Sequence, residues 1–133
     1  MIVGIPILRL FEAGLARPEP IGQDDGLGQS SVTDLKWIKR FKEVSRRNIA
    51  WRTPIASDIA RFEAFQELQK FGDFLVAAAD TAAQHLFVVE RIWNGWPDPP
   101  RFAFFAISGD HTIWAAADFH RWPRRWAKGE IEI

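Results

Sequence analysis

The chain has no cysteine, no tyrosine and a single methionine. Without cysteine there are no disulfides, thiolate metal sites or thiol nucleophiles, and nothing marks a redox compartment. The longest apolar stretches, MIVGIPIL and FLVAAA, fall well short of the ~20 residues a spanning helix needs, so no membrane partner is expected. No basic segment precedes the apolar N-terminus, which reads against a signal peptide and for a cytoplasmic location. Also missing are the phosphate loops G-x-x-x-x-G-K-S/T and G-x-G-x-x-G and the nucleophile elbow G-x-S-x-G. No cofactor is expected.

What is present is apolar and aromatic: 47% hydrophobic residues, with seven Trp and eleven Phe. A length of 133 residues suits one domain over 1–133, large enough to bury roughly two-thirds of its unfolded surface. Net charge is zero but segregated. Residues 36–52 carry seven cations against Glu43 alone, a net +6, and residues 119–128 carry +4. Between them, residues 53–118 hold nine acids against four cations. Such bracketing says more about partners than the neutral total does.

Periodicity divides the chain into five parts. Residues 1–13 read as an N-terminal strand or arm, with Pro6 favouring an edge, and 14–31 as a loop rich in glycine, proline and polar residues. Residues 32–85 read as helical. Ser31 with Asp34 resembles a capping box, and Trp37, Ile38, Phe41 and Val44 share one face. Thr53-Pro54 suits the start of a second helix with a stripe of Ile55, Ile59, Phe62 and Gln66, and DFLVAAADTAAQH continues as an alanine-rich third helix. Residues 86–120 then form a β-meander: LFVVERIW before Asn94-Gly95, then RFAFFAIS and HTIWAAADFH around Gly109-Asp110. Residues 121–133 are a basic tail. The expected fold is α+β, two or three helices packed on one face of an antiparallel meander of three to four strands. On the last strand, Trp114, Ala116, Asp118, His120 and Trp122 share a face by the two-residue period. The plain reading of Asp118 and His120 is that the strand leaves the core there and its polar residues meet water.

Two basic stretches carry the strongest functional signal. KWIKRFKEVSRRNIAWR interleaves aromatics with Lys36, Lys39, Arg40, Arg46 and Arg47. RWPRRWAK repeats the combination with Arg121, Arg124 and Arg125 beside Trp122 and Trp126. Arginine makes bidentate phosphate contacts and exposed tryptophan stacks on unpaired bases. A binding protein follows, its partner a nucleic acid or an acidic protein. The plain alternative is a solvated helix face with Trp37 in the core.

Three other readings compete. Glu90 as base, Arg101 as phosphate clamp and His120 as acid would cleave RNA by attack of its 2′-hydroxyl. The order of strand, helices, meander and basic tail over residues 32–126 resembles the layout of the RelE/ParE group of toxins, and that resemblance implies such residues on the sheet. Small side chains at Ala103, Ala106, Ala115, Ala116 and Ala117 among Phe and Trp leave a hollow, or else let a helix pack closely. FAFFAISGDHTIWAAADF is similar to the terminal strands of the NTF2-like α+β cone, which implies a small-molecule pocket. Finally, Trp93 and Trp96 around the Asn94-Gly95 turn, or the N-terminal arm, would serve as a homo-oligomer seam. His85, His111 and His120 with Asp118 lack metal-ligand spacing, so no metal site is expected.

Overall fold

The computed structural model describes residues 17–22, 26–92, 100–127 and 131. The expected N-terminal strand over 1–13, the Asn94-Gly95 hairpin, and Trp93 and Trp96 lie outside them. Helix α1 runs Ser31–Ser45 and buries Trp37, Phe41 and Val44, spaced four and three apart on one face. Its cap sits one residue earlier than expected: the Ser30 hydroxyl accepts the Thr33 amide at 3.2 Å. A short strand β1, Ile49–Ala50, follows.

Helix α2 spans Ala56–Glu63, two residues beyond the expected start, because the Asp58 carboxylate accepts the free Ile55 amide at 3.0 Å. Its expected apolar stripe does not form. Phe62 and Asp58 face inward while Ile55 and Ile59 are exposed, since Asp58 turns in to bind Arg52. A 3-10 helix, Gln66–Phe71, then buries Leu68 and Phe71.

Four strands complete an antiparallel sheet in sequence order: β2 Phe74–Asp80, β3 Gln84–Glu90, β4 Phe102–Ser108 and β5 Ile113–Phe119. The fold is α+β. Residues 73–85, expected as a third helix, are instead β2 and the turn into β3, and Asp80 stands opposite His85. The physical reason lies in burial on both faces. Phe41, Val44, Trp51 and Trp126 cover one face, and Phe62, Leu68, Phe71, Trp37 and Ile21 cover the other. A strand covered twice has no polar phase, so FLVAAA carries no two-residue alternation and its alanines favour a helical reading. For the same reason every residue from Phe102 to Ile107 is buried. Both edges are also covered: Arg52 bridges Ala78 on β2, and Glu19 bridges Asp118 on β5.

Two bulges re-aim side chains. Ala106 faces Ala115 but Ile107 faces Ile113, leaving Trp114 as the extra residue. Trp114 consequently packs with the α1 face and Ile113 with the opposite one, the reverse of strict alternation. Trp122, past the strand's end, packs with the α1 face too, so it does not share a face with Ala116.

Gly72 leads into β2 under Val89. A Cβ built there lies 2.6 Å from Val89 Cγ2 and 2.7 Å from its Cβ. Gly72→Ala should therefore lower stability by about 1–3 kcal/mol through overpacking, read by urea denaturation. An unchanged midpoint would mean that β3 yields at this position. Strand β6, Trp126–Ala127, closes the fold by pairing in parallel with β1. Among the described residues no helix is long and apolar enough to cross a membrane.

Candidate functional site

The two basic segments, far apart in sequence, meet in space. β6 pairs with β1, and the Trp126 indole N–H donates to the Val44 carbonyl at 3.1 Å, fastening the C-terminal turn to the end of α1. Lys36 and Lys39 on the helix, Arg46 and Arg47 just past its end, and Arg121, Arg124 and Arg125 on the turn are all exposed. None of these seven makes an ion pair with a described residue. Arg40 stands apart. Its guanidinium donates to the Trp114 carbonyl at 2.8 Å and lies 5.0 Å over that indole, so it holds α1 to β5.

The tryptophans expected to reach a partner are structural. Trp126 is 3% exposed and packs against Phe41, Trp51, Phe104, Phe119 and Trp122. Trp122 is partly buried on the same cluster and donates to the Trp126 carbonyl at 3.1 Å. The Trp126 ring is not free to stack on a base. Apolar neighbours inside the basic segments form the core from which the cations radiate.

Glu90 and Arg101 come together, whereas His120, one residue past the Phe119 that pairs with Phe102, makes no hydrogen bond or ion pair with either. Arg101 donates to Glu90 at 2.6 Å and covers the Phe102 ring at 4.8 Å, so each charge is satisfied by the other. His120 is exposed and bonds to no described residue. The five alanines are buried and lie under aromatic side chains, and Phe41 of α1 touches Phe104 and Phe119 at ring separations of 5.1 and 5.2 Å. Ala106, Ala115 and Ala117 pack with the α1 face and Ala103 and Ala116 with the opposite one, so three of the five small residues lie on the face that the helix covers.

Asp118 does not meet water. It is buried beside Arg91, whose Nη2 donates to it at 2.8 Å while Nη1 donates to the Pro100 carbonyl at 2.7 Å. Burial pushes the Asp118 carboxyl up to about 6, against the pull of the Arg91 charge. A second network passed unnoticed in the sequence. Arg52 Nη2 donates to Asp58 at 2.6 Å and to Asp80 at 3.0 Å, and the other Asp80 oxygen binds His85 Nδ1 at 2.6 Å. Burial opposes the Asp80 charge, but the His85 hydrogen bond and the Arg52 charge outweigh it and hold this carboxyl below its ordinary value. Reading FLVAAADTAAQHLFVV as strand, turn, strand would have placed Asp80 opposite His85. Among the described residues no cluster of three His, Asp or Glu forms a metal site.

No protein-family model matches this chain, and no curated protein or solved structure is detectably similar to it. The resemblances of layout thus gain no support from a sequence or structural match, and the functional reading rests on the geometry.

Proposed function

We propose that this protein binds nucleic acid through the phosphate backbone, at the cationic surface running from the outer face of α1 to the C-terminal turn. One observation carries the reading: the Trp126–Val44 bond and the β1–β6 pairing bring together two basic segments that hold seven exposed cations, none ion-paired with a described residue. Unpaired surface cations release condensed counterions when they meet phosphates, which gives sequence-independent, salt-sensitive affinity. With Trp126 buried and Trp122 packed against the same cluster, phosphate charge rather than base stacking carries the affinity, and base identity goes unread.

Fluorescence anisotropy of a labelled single-stranded RNA tests this. Affinity should fall steeply with salt, with a slope of about −0.7 per phosphate neutralised. Reversing Lys39, Arg46 and Arg47 to Glu should weaken binding about tenfold or more at low salt. Arg40 is left intact because it holds β5. Absence of binding at low salt, or the same affinity after charge reversal, would overturn the proposal and leave an acidic protein as the partner of this surface.

A further inference from the structure

The Arg52–Asp80–His85 network ends at a cavity on the other face of the sheet, the face covered by α2. Its volume is about 190 Å³, and it lies between Arg61 of α2, Phe65, the β3 residues His85 and Phe87, Ile107 of β4, and His111 in the β4–β5 turn. No acid lines it. Asp80 stands behind His85 and Asp110 is solvent-exposed in the turn, where its carboxylate accepts the Thr112 amide at 3.1 Å.

Three features suit this cavity to an anion. Asp80 occupies His85 Nδ1, so only Nε2 remains to meet a ligand, and the carboxylate fixes the ring's orientation. Arg61 is exposed and makes no ion pair with a described residue. His111 is the one described non-glycine residue with positive φ, at 62°. That conformation is unfavourable for an L-residue, and here it sets the imidazole 5.9 Å from the Phe65 ring at the cavity's edge. Phe65, Phe87 and Ile107 supply the apolar part of the wall.

We propose that this cavity binds a small phosphate monoester, with Arg61, His85 and His111 taking the phosphoryl oxygens and Phe65, Phe87 and Ile107 the apolar group it carries. An arginine and two imidazoles converging on one cavity suit the three oxygens of a phosphate monoester better than the two of a carboxylate. A volume this small excludes a large ligand. The inference is independent of the nucleic-acid reading, because the surface proposed there is fastened to the α1 face through Val44 and Trp126.

The test uses the histidine ring signals in proton NMR of the full chain, titrated with phenyl phosphate, inorganic phosphate and benzoate near pH 6.5. His120 serves as an internal control, since it follows the far end of β5 from His111. The His85 and His111 signals should shift together and saturably with phenyl phosphate while His120 stays still. Inorganic phosphate should bind more weakly for want of the apolar contact, and benzoate more weakly for want of a third oxygen. Arg61→Gln, an exposed change, should reduce phenyl phosphate affinity about tenfold, whereas the α1 charge reversals should leave it unchanged. No saturable shift, equal movement of His120, benzoate binding as tightly as phenyl phosphate, or an unaffected Arg61→Gln variant would each overturn the proposal.

Discussion

Trp126→Ala should lower stability by about 3–5 kcal/mol, the range for removing a large buried aromatic and leaving a cavity. The ring touches five other aromatics at centroid separations from 4.9 to 5.7 Å. Its N–H also closes the α1 carbonyl at Val44, which would be left facing the cavity. Against a total of about 5–15 kcal/mol for a domain, that loss is severe. The thermal midpoint should fall by on the order of 10–20 °C. Trp126→Phe keeps the packing, loses the hydrogen bond and should lie between. The consequence reaches function as well, because the same bond fastens Arg121, Arg124 and Arg125 to the helix. Trp126→Ala should therefore weaken RNA binding with every cation still present. A midpoint within about 3 °C of the parent would show that the C-terminal turn packs more loosely than the ring contacts indicate.

The buried Arg91–Asp118 pair should give an effect of similar size. Arg91→Met strands a carboxylate among apolar side chains and should cost about 3–5 kcal/mol at neutral pH. Arg91→Met with Asp118→Leu should recover most of the loss, because neither desolvated charge then remains. The pH dependence follows from the raised Asp118 carboxyl, about 6 folded against 3.8 unfolded. Between those values the folded state holds the proton more often than the unfolded chain. Stability from this group is therefore greatest at the acid end of that window, declines as pH rises through about 6, and is level above it. Two units correspond to about 3 kcal/mol. Lowering the pH from 7.5 to 5 should raise the thermal midpoint, and Asp118→Asn should flatten that rise. Asp80 acts in the opposite sense. Its lowered pKa contributes stability above 3.8 that is lost as pH falls through the folded value, which sets the acid limit. A midpoint that stayed flat or fell between pH 7.5 and 5 would refute burial as the dominant influence on Asp118.

Local signals were legible where one helix face was buried, or where β-branched and aromatic runs flanked a turn pair. α1 showed itself through Trp37, Phe41 and Val44 against a basic opposite face, and the β4–β5 hairpin through two apolar runs around Gly109-Asp110. The reading failed where a doubly buried strand was rich in alanine or where a charge turned inward. β2 passed for a helix because both of its faces are apolar, and α2 lost its expected stripe because Asp58 points in to Arg52. For the candidate site, the basic residues were legible as charges, but Trp122 and Trp126 could not be sorted from them. Whether a tryptophan between arginines is anchor or ligand contact depends on what packs on it from distant strands.

The amino-acid sequence by itself determined the α+β composition, the basic helix and the segregation of charge, because these depend on neighbours within a turn or a strand. Tertiary structure alone decided that the two basic segments adjoin, that Asp118 is buried on Arg91, and that Asp80 orients His85 beside Arg61 and His111. Each of these depends on register between strands. A register is set by the side-chain packing of both sheet faces together, and a shift of one residue would exchange the faces of every side chain on the strand.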